Sequence, residues 1–359
     1  MALILAPGTH EILVNLAKIQ RLLGQTERSI RSYRKALTCS IDDSEIQLGL
    51  GICYLTLGDL ATGFALFEHR AGRLGLLRQI ANHELQQWDG SSVAGKRFLC
   101  IGEQGAGDTL MFARYVRLLA EQGAEVVIAC SGPLRRLFEG LDGVSEVVSK
   151  RLTTRVDMCD LVMSLPYRFG TNLKTIPAPP RYIEPPVSTH PLPENGRLRV
   201  GLCWAGNSKH PLDRKRSMAF EALQPILGVL DVDYYAFQFG ARAVPARDDG
   251  RVLDLTPNIN DYADTAGFLD QMDLMISVDT SVAHLSGALG VPTWVLLASS
   301  TDWRWMLDGE TTPWYPSHRL YRQQVPDDWS GVVARVRDDL VQRVTDGRLR
   351  RSRTPVKND

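Results

Sequence analysis

From residue 96 to residue 344 short apolar runs alternate with amphipathic stretches, and this alternation constrains the fold more than any other feature of the chain. The run at 96–103 (KRFLCIGE) reads as a buried strand, and 125–130, 145–148 and 160–163 repeat it. Helices are expected at 108–121 and 134–141. A second series places strands at 198–204, 234–239, 274–278 and 293–298, with helices at 220–227, 262–272, 281–288 and 329–344. Apolar strands separated by helices fit a parallel sheet covered on both faces. Between the two series, residues 176–196 carry seven prolines. That density denies a continuous helix or a central strand, so the segment reads as a linker that lets two domains hinge. Two doubly wound sheets in tandem are expected. Their ligands should lie outside the carboxyl ends of the strands, in the cleft between the domains.

Ahead of these sheets the chain repeats itself. Leu16 matches Leu50, Leu23-Gly24 matches Leu57-Gly58, and Tyr33 matches Phe67, each at an offset of 34 residues. That is the tetratricopeptide period, with a helix-turn-helix in each repeat. Glycine after leucine lets the chain turn between helices, and the aromatic fills the groove between them. Two repeats are fewer than the roughly three that a free solenoid needs. The helices must therefore lean on the rest of the chain or on another subunit, which would make a homo-oligomer.

Composition narrows the function. Lys plus Arg and Asp plus Glu are both 41, so the formal charge is zero. No global field is present to hold nucleic acid or anionic lipid, and an anionic ligand needs a local pocket. No run approaches the roughly 20 apolar residues of a membrane span. The start, MALILAPGTHEILVNL, has no basic leader region, so no secretory signal is expected and the protein reads as cytoplasmic. The six cysteines are scattered without a CxxC pair and read as reduced core thiols. No HExxH or Cys/His cluster suggests a metal, and no cofactor is implied. Asp231-Val232-Asp233 spells DxD, but on the amino side of a strand, away from any expected site.

Three strand ends carry the chemistry. After the first strand comes Gly102-Glu103-Gln104-Gly105-Ala106-Gly107-Asp108-Thr109. This GxxGxG opens a helix but is neither a dinucleotide fingerprint nor a P-loop. Gly105, Gly107 and Thr109 line the turn. Asp108 is either the helix N-cap or a general base at the cleft. Glu103 is a second acid on the same rim. The next rim, Trp204-Ala205-Gly206-Asn207 and SKHPLDRKRSM, brings Asn207, Lys209, Arg214 and Arg216 to a strand end. It is a solvated basic loop or a phosphate site, with Gln238 on the following strand. The third rim is ISVDTSVAH, where Asp279, Thr280 and Ser281 open a helix able to cradle phosphate. His284, one turn in, is a core histidine or a ligand. Asp302-Trp303-Arg304-Trp305 sets aromatics and a cation beside this rim.

Together, EQGAGDTLMFARY (103–115), GLCWAGN…RKRSM (201–218), DYADTAGFLDQMDLMISVDTSVAHLSGALGVPTWVLL (261–297) and DWRWMLDGETTPWYPSHRLYRQ (302–323) resemble bacterial tetratricopeptide proteins with a family 9, heptosyltransferase-like glycosyltransferase domain. The match spans about residues 86–340. The resemblance implies an α/β architecture of GT-B type, two Rossmann-like domains behind an all-α repeat segment. The expected divisions are 1–82 for the repeats, 83–187 for an acceptor-side domain, 188–345 for a nucleotide-sugar domain, and a basic tail at 346–359. It also implies an inverting, metal-independent transfer from a nucleotide-diphosphate sugar to a hydroxyl. Asp108 would be the base, with Arg216 near the family's donor-phosphate lysine and Asp279, Thr280 and His284 at the donor phosphates. The repeats suggest a protein or peptide acceptor. A cell-envelope transferase using its repeats for assembly, and a non-catalytic nucleotide-sugar-binding scaffold, are the competing readings.

Overall fold

The apolar runs pair side by side because the central ones are buried on both faces, so their backbone N–H and C=O groups must find ladder partners. The computed structural model describes residues 9–40, 42–73, 85–149 and 155–347. The first eight residues of the apolar start, the expected boundary at 82/83 and the basic tail from 348 onward lie outside them. Among the described residues there are two sheets, parallel throughout. The first holds β1 (Arg97–Ile101), β2 (Glu125–Ala129), β3 (Val144–Val148) and β4 (Met158–Leu161) in the order β3-β2-β1-β4. The second holds β5 (Leu198–Cys203), β6 (Val232–Ala236), β7 (Val252–Asp254), β8 (Leu274–Val278), β9 (Thr293–Leu297) and β10 (His318–Arg322). Its order is β10-β9-β8-β5-β6-β7. Strand order reverses between β5 and β8, and such a switch point opens a crevice at the carboxyl edge. The loops after β5 and β8 are two of the three rims marked in the sequence.

The amino-terminal segment is helical: α1 (Thr9–Leu22), α2 (Thr26–Leu37), α3 (Ser44–Thr56), α4 (Leu60–Phe67) and α5 (His69–Arg73). α1 packs on α2 and α3 on α4. Each hairpin turns on a left-handed glycine, Gly24 at φ 71° and Gly58 at φ 82°, where a side chain would be strained. Tyr33 and Phe67 are both buried, and Tyr33 packs so close to Gly49 that a Cβ there would lie 2.4 Å from its ring. Leu16 is exposed where its counterpart Leu50 is buried, because nothing packs outside the first helix of the described residues as α2 packs outside α3.

The helices lean on the sheets rather than standing apart. Arg70 of α5, fully buried, donates to Glu103 at 2.6 and 3.1 Å and to Ser164 Oγ at 2.9 Å. Phe64 of α4 meets Phe112, Trp303 and Trp314 edge to face, with centroids 6.3, 5.7 and 6.3 Å apart. One continuous core thus takes in α4 and the end of α3, the first sheet and part of the second, while α1, α2 and the rest of α3 share a core of their own.

Two expectations need correction. The helix expected at 108–121 breaks into Ala106–Phe112, a 3-10 turn Ala113–Tyr115 and Val116–Glu121. At the break the Arg114 guanidinium turns inward and donates to the carbonyls of Met111 and Trp314 at 2.7 and 2.6 Å. The proline-rich segment forms no helix or strand but is strapped down, not a free hinge. The N–H of Tyr182 donates to Ala288 O at 2.9 Å, Arg181 pairs with Asp270 at 2.7 Å, and a Cβ on Gly290 would sit 2.4 Å from Pro180 O. Among the described residues no helix is long and apolar enough to cross a membrane.

Candidate active site

β1 delivers the first rim. The turn after it is tight, since a Cβ on Gly102 would lie 2.9 Å from Ala129 O, and Gln104 takes a left-handed φ of 58°. The N-cap of the next helix is Gly105, not Asp108. Asp108 is the third helical residue, and its Oδ2 reaches back to accept the Gly105 N–H at 2.9 Å. Its Oδ1 accepts from Arg304 Nη2 across the cleft. Thr109 is buried, its hydroxyl turned to Gly105 O at 3.3 Å. Glu103 does not face the cleft. Its carboxylate is closed off by the two-pronged contact from Arg70 and by the Met163 N–H at 3.3 Å, so it holds the helical segment and cannot take a proton from a substrate.

The second rim is a largely exposed loop organised around one buried side chain. Asp213, 2% exposed, is its hub. It accepts from Ser217 Oγ at 2.9 Å, pairs with Arg242 at 2.7 Å and holds Arg216 Nε at 3.8 Å. A Cβ on Gly206 would come within 2.8 Å of the Arg216 guanidinium, so the glycine lets Arg216 lie along the backbone. Arg216 is half-buried, while Asn207, Lys209 and Arg214 are exposed. Gln238 is buried and accepts the Ala205 N–H at 2.8 Å, joining the ends of β5 and β6 rather than lining an open site.

The third rim lies against the first. A Cβ on Gly107 would sit 3.0 Å from His284 Cδ2 and 3.3 Å from Ser281 Cα, so only glycine lets the two helix starts meet this closely. The helix Ser281–Ala288 has no side-chain cap, which leaves its first-turn N–H groups to a ligand or water. The Thr280 hydroxyl is instead paired with Ser277 at 3.0 Å, and Ser281 Oγ accepts from Tyr262 OH at 2.8 Å. His284 is buried, 2.9 Å from Tyr315 OH through Nδ1, and stacks on Trp305 at 5.2 Å. Burial and the nearby Arg304 hold its imidazole well below the usual histidine range, so it is neutral. Asp279 is pushed up to about 6 by burial and by the Asp302 carboxylate, against the pull of Arg216 and Arg304.

Arg304 is the residue that joins these parts. It pairs with Asp302 at 2.7 Å and with Asp108, and its guanidinium lies 4.4 Å over the Trp303 ring. The sequence marked Arg304 only as a cation beside the rim, and its partner is 196 residues away. Arg114 was missed altogether, because a lone arginine in a helical stretch reads as surface. Among the described residues no group of three or more His, Cys, Asp and Glu side chains is gathered to hold a metal ion.

No protein-family model matches the chain. Protein FlbA of Caulobacter vibrioides is 23% identical over 92% of this chain, and the chain spans 61% of that protein's length. A glycosyl transferase family 9 structure from Veillonella parvula covers 72% of this chain and 98% of its own, with TM-score 0.53 and 11% identity. The ADP-heptose lipopolysaccharide heptosyltransferase II of Escherichia coli covers 70% of this chain and 98% of its own at TM-score 0.47 and 13% identity. The paired parallel sheets of this chain therefore share the architecture of the Veillonella glycosyl transferase.

Proposed function

We propose that this protein is a glycosyltransferase that moves a sugar from a nucleotide-diphosphate sugar to a hydroxyl acceptor, with Asp108 as general base and without a metal ion. The observation that carries this reading is the meeting of two strand-end turns. Gly107 from the first sheet's turn lies against Ser281 and His284 from the second, so the turn that carries the Asp108 carboxylate meets a helix start whose N–H groups have no side-chain cap. The acceptor oxygen attacks the anomeric carbon, the bond from that carbon to the diphosphate breaks, and the acceptor proton passes to Asp108. Arg216 and the first turn of Ser281–Ala288 hold the negative charge that grows on the departing diphosphate. A carboxylate has about four lone-pair sites, and two on Asp108 are filled by Gly105 and Arg304. That leaves room for the acceptor hydroxyl, while Arg304 sets the orientation of the base.

We read the helical hairpins as two tetratricopeptide repeats that present the acceptor, a protein or peptide. Residues 83–187 form the acceptor side and 188–345 the donor side. The equivalent glycine turns at Gly24 and Gly58 and the fusion of the helices to the cleft support this. A thermal-shift panel of nucleotides and nucleotide-sugars tests the reading, since a ligand at 100 times its Kd stabilises by about 2.7 kcal/mol. One base should stand out, and Arg216→Ala should lose that shift. If nothing in the panel stabilises the protein, it is not a nucleotide-sugar enzyme.

A further inference from the structure

The helical segment reaches the donor side of the site as well. A cavity of about 110 Å³ opens between the hairpins and the second sheet. Arg21, Thr26 and Thr56 line one wall; Arg216, Asp279 and Asp302 are among the residues of the other. The last turn of α1 places Arg21 there. Arg216, whose Nε lies 3.8 Å from the Asp213 carboxylate, lines the same cavity from the other side. The Tyr33 hydroxyl lies beside the Arg21 guanidinium, fixing its stem against the hairpin. The two arginines thus come to one cavity from opposite walls.

Charge says which kind. Arg21, Lys215 and Arg216 border the cavity against Asp279 and Asp302, and Asp302 is already paired with Arg304. His210, also on the lining, is held below its usual range by partial burial and by Arg216. The balance favours an anion. Size narrows it further: a cavity of about 150 Å³ holds benzene, so this space takes a phosphate-sized group and not a whole nucleotide-sugar.

We propose that Arg21 and Arg216 together seat one phosphate of the donor's diphosphate, so that the helical segment forms a wall of the donor pocket. This rests on the nucleotide-sugar reading above and adds to it a ligand residue from outside the two sheets. The helices then contribute to donor binding directly.

Calorimetry with inorganic pyrophosphate, orthophosphate, ADP, GDP and UDP tests this, on the full chain and on Arg21→Gln, Arg21→Lys, Arg216→Gln and the exposed control Lys35→Gln. The parent should bind pyrophosphate and one nucleoside diphosphate. Arg21→Gln should weaken both at least tenfold, Arg21→Lys should recover most of the loss, and Lys35→Gln should stay within twofold. A thermal melt of each unliganded variant shows that it is folded. If Arg216→Gln weakens binding and Arg21→Gln does not, the inference is overturned and the donor reading stands. If no nucleoside diphosphate binds the parent, the donor reading itself fails. Binding of orthophosphate alone, with no preference for a diphosphate, also overturns the proposal.

Discussion

Asp108→Asn separates a base from a structural carboxylate, and the structure sets the size of each effect. The carboxylate serves two partners, the Gly105 N–H through one oxygen and Arg304 through the other. Asparagine has a single acceptor oxygen, so one partner must face an NH₂ group, donor against donor. The stronger bond, to Arg304, should keep the oxygen. Losing one hydrogen bond in a charged setting costs about 1.5–3 kcal/mol. Arg304 retains Asp302, so the loss stays below the roughly 3–5 kcal/mol of a buried ion pair stripped of one member. At about 2–4 °C per kcal/mol for domains of this size, Tm should fall by roughly 3–12 °C. A simple N-cap would have predicted almost no change. Turnover should fall much further, by about 10²–10⁴, because an amide cannot take the acceptor proton. Single-turnover transfer to the acceptor at saturating donor is the assay, since hydrolysis of the donor by water bypasses the step. Arg304→Gln is the control: it breaks the same interdomain pair but leaves the carboxylate. If Asp108→Asn transfers within threefold of the parent, or if Arg304→Gln loses kcat to the same degree, Asp108 is a positioning residue and the base lies elsewhere.

Three further outcomes follow from the same geometry. Glu103→Gln should lower unfolding free energy by about 1.5–3 kcal/mol in chemical denaturation, because Arg70 loses its buried carboxylate partner and keeps only the Glu68 carboxylate at 2.9 Å; unchanged stability would show that the pair is not what binds the helices to the first sheet. Asp279 is held up at about 6, above its ordinary value of 3.8. Its contribution to stability is therefore full below about pH 4 and is lost as pH rises through about 6. Asp279→Asn should accordingly gain stability relative to the parent between pH 4 and 7, by up to about 2–3 kcal/mol, and a flat difference across that range would refute the cause given. Transfer activity should be equal in EDTA and in magnesium, and a loss of more than about tenfold that metal restores would replace the proposed leaving-group stabilisation.

What the sequence reveals is what local pattern can encode. The strands at 198–204, 274–278 and 293–298 are found within a residue of their expected ends, because apolar runs with turn residues at both ends need no knowledge of partners. The short β7 and the strand β10 escape that reading. Val252–Asp254 is only three residues long, and His318–Arg322 carries two arginines and a histidine. The break at Ala113–Tyr115 is invisible for a different reason: Arg114 is drawn inward by the Trp314 carbonyl and by the Tyr182 and Tyr315 rings, 4.9 and 4.7 Å away, all distant in the chain. The site divides the same way. Strand-end position brings Asp108, Arg216, Asp279 and His284 to one region, whereas Gln238 and Glu103, equally polar and equally near strand ends, are consumed by partners that local pattern does not disclose.

The aromatic cluster of Phe64, Phe112, Trp303 and Trp314 governs how the molecule can breathe. Each of these rings buries roughly 150–250 Å², and the four come from the helices and from both sheets. A radial gap of even 0.5–1 Å forfeits a quarter to a half of a dispersion contact, so a gaping motion of the two halves would uncover all four rings at once. Sliding one half along the other keeps edges on faces and costs little. Shear of a few side-chain contacts, rather than a clamshell swing, is the movement this cluster permits. Cutting the chain between the helices and β1 would strip Phe64 from Trp303 and leave a sticky indole face on the remainder.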